Sequence, residues 1–272
     1  MKFSFYKLRL KAEKFWLIVL IGVIVVSLNA IVSTGTNLLQ IKSTLETTLF
    51  KKQHLINTVE KLVPGTDISY YINKFGQPLF INVGDKTEKK EWVFVNEFFY
   101  LDVVTDLDNQ VVYFAVTTRD KTFNPTFRTA GYPNNSPSFK VTLGSTRFSD
   151  LPTTPEQISG CVGARRFFYH ELHYLGNPGH YKTYGVGIND AGILSEEDAI
   201  WDFLIENSEY CTFVNERSPS LENESFLTAR KNSIINTYFE TAPLVSISSM
   251  SAQIFVGPSI GVDLDQVRIL KE

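Results

Sequence analysis

The chain has 272 residues, a formal net charge of −3 and a pI near 5.9, so no basic field points to nucleic acid and that class of partner is excluded. Aromatic residues make up 13 %, with 21 Phe and 12 Tyr, enough for a β-rich packed core in one large domain or two small ones. Two cysteines, Cys161 and Cys211, are too few for a zinc site by themselves. An exported compartment would permit them to pair as a disulfide; two separate buried thiols are the equal alternative.

Phe15 to Val32, FWLIVLIGVIVVSLNAIV, is apolar and uncharged over 18 positions. At 1.5 Å per residue it spans roughly 27 Å, close to the hydrocarbon thickness of a bilayer. Lys2, Lys7, Arg9, Lys11 and Lys14 precede it, and the next cation is Lys42. That asymmetry predicts a cytoplasmic N-terminus and an exported body. A cleaved signal peptide competes, but its apolar centre is usually shorter, and Leu28-Asn29-Ala30 places a large Leu at the outer recognition position. A buried helix of a soluble protein is a third reading, weakened by the lack of any polar face.

Beyond the span, Leu38, Ile41, Leu45, Leu49, Ile56, Val59 and Val63 fall at helical spacing up to Pro64-Gly65, which ends the helix. This stalk either packs on the following domain or zips against a second copy as a homodimer. Thr66-Asp67 offers an N-cap for ISYYINKF, with Ile68, Tyr71, Ile72 and Phe75 on one face. Gly76-Gln77-Pro78 stops that helix. Leu79–Val83, Trp92–Val95, Phe98–Thr105 and Val111–Thr118 read as strands, with a charged turn over 84–91 and an Asp/Asn turn at Asp106–Asn109.

A helix ending in Phe75-Gly76-Gln77-Pro78, then Trp92 in the first long strand, then the hairpin at Asp106 to Asn109, resembles the helix-then-meander repeat of small bacterial envelope modules. These are modules of the outer-membrane-assembly lipoprotein type and of β-lactamase-inhibitor-protein-like folds. The resemblance covers under a third of the chain. Such modules bind proteins rather than catalyse, so it implies a binding role here by analogy.

After the Pro- and Asn-rich loop GYPNNSPS, Ser138–Gly144 begins a second unit. In ARRFFYHELHYL, Phe168, His170, Leu172 and Tyr174 share one strand face, and Phe167, Tyr169, Glu171 and His173 the other. Gly176-Asn177-Pro178-Gly179 is a strong turn, and Tyr181–Ile188 is the returning strand. A turn between two aromatic strands is shared with the first unit, consistent with a diverged internal repeat. Ser195 caps a helix carrying Ile200, Trp201, Leu204 and Ile205. Cys211–Val214 reads as a short strand, and Glu224 to Thr241 as one helix ended by Pro243. VSISS, QIFVG and VDLDQVRIL read as strands of a closing hairpin.

The fold class expected is therefore α+β. It comprises a basic cytoplasmic tail (1–14), a transmembrane helix (15–32), a juxtamembrane stalk helix (33–65) and an exported domain (66–272). That domain is built of antiparallel β-meander units over 66–123 and 138–194, with C-terminal helices and a hairpin over 195–272. The densest polar cluster is His170, Glu171, His173, His180 and Asp190, with Arg165 and Arg166 leading into the first strand. HELH is not the HExxH spacing, because on a strand His170 and His173 point to opposite faces. Glu171, His173 and His180 could meet a metal across the hairpin, though strand histidines are more often structural. Arg165 and Arg166 are candidates for phosphate or carboxylate, against a solvated strand end. No dinucleotide fingerprint, P-loop or nucleophile elbow is present, so no cofactor is expected. The partners expected are the bilayer, through 15–32, and a protein or envelope component bound by the exported domain. The alternatives are a membrane-anchored enzyme or metal-binding protein using the His170–Asp190 hairpin, and a membrane-tethered sensor or effector with a cytoplasmic body.

Overall fold

A computed structural model describes residues 50–84, 89–129, 138–151, 155–162, 167–175, 182–194, 200, 202–204, 224–243 and 261–268. The tail, the apolar run 15–32, the stalk up to 49, Arg165, Arg166, His180 and Cys211 lie outside these residues. The chain divides into two units, 1–53 and 54–272. Among the described residues no helix is long and apolar enough to cross a membrane.

Helix α1 is described over residues 50–59 and closes with short bonds from Lys61 N–H to Thr58 O and from Leu62 N–H to Val59 O. Gly65 then takes a positive φ of 88°, which the chain needs to reverse. Within the second unit the buried stripe is Leu55, Val59 and Leu62, while Ile56 is half-buried and Val63 is 49 % exposed. The expected stripe thus keeps Val59 but is otherwise rotated by one residue, Leu55 and Leu62 being buried in place of Ile56 and Val63. A 3-and-4 pattern leaves that rotation open until an opposing surface chooses it.

Helix α2 (Ile68–Phe75) is bounded as its sequence predicts: the Asp67 carboxylate accepts from Ser69 N–H at 2.8 Å, and Gly76, φ 85°, donates to Ile72 O. Its Tyr71 packs on Phe114 and its Phe75 edge-on against Phe99.

The body is one eight-stranded antiparallel sheet with a few helices, an α+β fold. Its strands are β1 (Phe80–Val83), β2 (Lys90–Val95), β3 (Phe99–Thr105), β4 (Val111–Thr118), β7 (Gln157–Val162), β8 (Phe167–His173), β9 (Tyr184–Asn189) and β10 (Thr237–Thr241). A separate ribbon pairs β5 (Thr126–Thr129) with β6 (Phe139–Thr142). The order is β1-β2-β3-β4-β10-β9-β8-β7, two four-strand meanders joined through their last strands, β4 and β10. Strands β3, β4, β8, β9 and β10 are buried along their whole length, so both faces of the sheet centre are covered. One face carries Leu101, Val103, Phe114, Val116, Tyr169, Val186 and Tyr238 in the same cluster as α1 and α2. The ribbon covers this face too, with Phe127 stacked on Tyr238 at 4.0 Å. The opposite face carries Tyr113, Ala115, Leu172 and Phe239, and beside them Val93 and Tyr100.

Three readings are corrected. Glu224 to Thr241 is not one helix: helix α3 (Glu224–Asn232) stops, and TYFET continues as β10 in the middle of the sheet. The switch is made at Asn236, whose side chain accepts from Asn189 N–H and donates to the carbonyls of Asn189 and Ile193, all at 2.9 Å. Those bonds hold it to β9 instead of a helix, and the β-branched and aromatic residues that follow suit a strand. The VDLDQVRIL run is also not a strand where it is described, because helix α4 (Leu264–Val267) forms behind an Asp263–Gln266 capping box. The charged turn expected over 84–91 gives up Lys90 and Glu91 to β2. Strands β5 and β7 were not anticipated, being short and weakly patterned.

Candidate functional site

Strand β8 presents Tyr169, Glu171 and His173 to the helix-covered face and His170 to the other, as its alternation requires. Glu171 is fully buried and is gripped by Arg230 of α3, with Nε to Oε1 at 2.8 Å and Nη2 to Oε2 at 3.0 Å. The Tyr169 hydroxyl donates to Oε1 at 2.9 Å, and His173 Nε2 lies 3.6 Å from Oε2. The same guanidinium donates to Phe148 O at 2.9 Å, tying α3 to the 3-10 turn Phe148–Asp150. Burial and the adjacent carboxylate hold the Tyr169 phenol well above its ordinary range.

Glu171 and His173 do come together, as the hairpin reading expects. What meets them is a guanidinium on both carboxylate oxygens, and its positive charge opposes a metal ion in the same place. Among the described residues no group of three or more His, Cys, Asp or Glu is placed to hold a metal. Asp190 serves another end of the hairpin: its Oδ2 accepts from Phe167 N–H at 2.9 Å. That point is four residues from Glu171, about 13 Å along the strand. His170 lies on the opposite face, stacked on Phe168 and edge-on to Phe239, and burial pushes its ring down to about 3. It is therefore neutral at physiological pH. Arg165, Arg166, His180 and Cys211 lie outside the described residues, and Cys161 stands in β7 opposite Phe168.

Two features were not singled out from the sequence. The first is a second acidic pair, Glu91 and Asp102, buried on the face away from α1 and α2 and roofed by residues 261–268. A lone Asp inside FFYLDVVT was its one signal. The second is the outer edge of the sheet at β1. Leu79, Ile81 and Val83 are 47 %, 46 % and 65 % exposed. Gly84 N–H bonds to Lys89 O, and pairing alternates along an antiparallel ladder, so Ile81 and Val83 turn their backbone groups away from β2. Residues 76–84 carry no charge, so among the described residues no charged side chain of this stretch blunts the edge.

No family model matches the chain, and no curated protein matches it. Among solved structures, a cysteine-rich secretory protein from Staphylococcus aureus aligns at a TM-score of 0.31 and 13 % identity, over 73 % of this chain and 49 % of that one. The chain thus spans about half the length of that structure. A likeness at this level carries no argument about fold or function.

Proposed function

We propose that this is a single-pass membrane protein, N-terminus inside, whose exported α+β domain binds a protein partner by strand addition at β1. The observation that supports it best is the β1 edge. It offers unpaired backbone donors and acceptors together with three exposed apolar side chains on an uncharged stretch. An extended segment of a partner laid along this edge would gain main-chain hydrogen bonds for affinity and side-chain contacts for selectivity. The anchor rests on the charge-free run 15–32 behind five Lys and Arg residues. The hairpin polar groups favour a structural task, since Glu171 is buried and bonded to Arg230 and Tyr169.

A photo-crosslinking residue at Ile81 or Val83 in the full chain, irradiated in native membranes, tests the binding surface. A discrete adduct is expected there and none from a probe at exposed Leu227 of α3. Absence of adducts at both β1 positions refutes the surface. C-terminal phosphatase and fluorescent-protein fusions test orientation: activity of the first and darkness of a Sec-exported second are expected, and the reverse pattern refutes export.

A further inference from the structure

Residues 261–268 lie across the sheet face that holds Glu91 and Asp102. Gly261 N–H donates to the Tyr113 hydroxyl at 3.1 Å, and Val262 O accepts from Asn189 Nδ2 at 2.9 Å. Gln266 Nε2 reaches Glu91 Oε2 at 3.4 Å. Val262 and Val267 are buried with Val93, Tyr100 and Ala191. The segment is held by a few polar bonds and two valines, so small changes beneath it matter to its seating.

Beneath it Asp102 is fully buried, between Val93 and Ala115 in register on the neighbouring strands. Among the described residues neither of its carboxylate oxygens has a well-formed hydrogen-bond partner, the Val103 amide alone favouring its charged form. Glu91 engages one oxygen with Asn82 Nδ2 at 2.6 Å and leaves the other, also buried, without a partner. The remaining titratable groups near the pair are the phenols of Tyr100 on β3 and Tyr113 on β4, and Asp263 on the covering segment, which adds repulsion at Glu91. The cations nearby are engaged elsewhere. Arg119 lies over the Tyr100 ring at 4.4 Å and donates to Asn96 O, and Arg268 is 72 % exposed beside Asp265. Among the described residues the pocket therefore holds the two buried carboxyls, two phenols and no bonded base, with the Asp263 carboxyl at its rim.

Two buried carboxylates without a counter-ion among the described residues cannot both be ionised at acceptable cost. Lifting the segment would admit water and return both acids to ordinary carboxylate behaviour. We infer that residues 261–268 form a proton-controlled latch, whose closure over the sheet requires the Glu91–Asp102 pair to hold a proton. Burial, and then the neighbouring Glu91 charge, hold Asp102 well above the usual carboxylate range, and burial raises Glu91 as well. The sign follows. The closed form binds the proton more tightly, so closure is fully favoured below the ordinary carboxylate value near 4, about where both states are protonated. Closure weakens as pH climbs through the raised value of the closed state. Opening uncovers Val93 on β2, the strand next to the β1 edge, and Tyr100 on β3 beside it.

Hydrogen exchange of the amides of 261–268 in the full-length chain, in detergent micelles between pH 5 and 9 and corrected for intrinsic rates, tests this. Protection should fall by about tenfold per pH unit wherever one proton is coupled to closure, while the β4 amides stay protected. Asp102→Asn should keep the segment protected across the range. Asp265→Asn, an exposed neighbour, should leave the slope unchanged. A wild-type segment with pH-independent protection overturns the latch, as does an Asp102→Asn protein that keeps the wild-type slope. If Asp102→Asn fails to fold, Glu91→Gln serves instead: a reduced slope supports the latch and an unchanged one overturns it.

Discussion

Arg230→Met is the perturbation that reports most directly on what the β8 hairpin is for. Arg230 supplies two of the bonds to Glu171, whose side chain is fully buried, and one bond to Phe148 O. Removing one partner of a buried ion pair leaves the other charge without compensation, a loss of about 3–5 kcal/mol. At about 2–4 °C per kcal/mol for a domain of 150–250 residues, that is a fall in Tm of roughly 6–20 °C. Removing the pair together is a different matter. Glu171→Met with Arg230→Met eliminates the stranded charge but orphans the Tyr169 hydroxyl and the Phe148 carbonyl, at about 1–3 kcal/mol each. Adding Tyr169→Phe removes the first of these, so the triple variant should be more stable than Arg230→Met alone. Urea unfolding followed by far-UV circular dichroism measures all of them, with a coupling energy of at least about 2 kcal/mol expected between positions 171 and 230. A single variant that loses under about 1 kcal/mol, or a triple no better than the single, would refute the buried pair as a structural tie. Glu171 would then have to be explained by a ligand.

Gly185→Ala should destabilise severely, by about 3 kcal/mol or more, since a Cβ there would sit 1.6 Å from the Phe239 ring that crosses it; thermal melts check this. Asp67→Ala removes the cap of α2 and should lower stability by about 1 kcal/mol in urea titrations. His170 is neutral when folded, so its contribution is complete above its ordinary value of 6.5 and is lost as pH falls from there toward about 3. His170→Leu should therefore flatten the acid limb of stability between those values, and an unchanged limb would place the acid sensitivity elsewhere. Val83→Lys, at an exposed edge position, should leave Tm within about a degree or two while suppressing the β1 crosslink.

The parts that could be read in advance are those whose partners lie close in the chain. Asp67 and Gly76 bound α2 because a capping carboxylate and a left-handed glycine act within a few residues. The turn at Asp106–Asn109 follows from an Asn tolerating a φ of 60°. The two faces of β8 follow from the pleat alone, which put Glu171 and His173 on one side and His170 on the other. The helix drawn through residue 241 failed for the opposite reason. Ile234, Ile235, Tyr238 and Phe239 suit a helical stripe and a strand equally, and what decides is Asn236 bonding to Asn189, 47 residues away.

Composition and local pattern by themselves thus determined an α+β chain, an aromatic β-meander after a short capped helix, and an apolar run long enough for a bilayer. Only the tertiary structure decided that β10 enters between β4 and β9, that Arg230 answers Glu171 across 59 residues, and that Gln266 reaches Glu91 across 175. A hydrogen bond or an ion pair depends on separation in space, and periodicity records only which way each side chain faces along its own element. Asp102 shows the difference most plainly. Its strand position was evident from FFYLDVVT, but its burial, away from any base among the described residues, exists only once three strands and the segment 261–268 close around it.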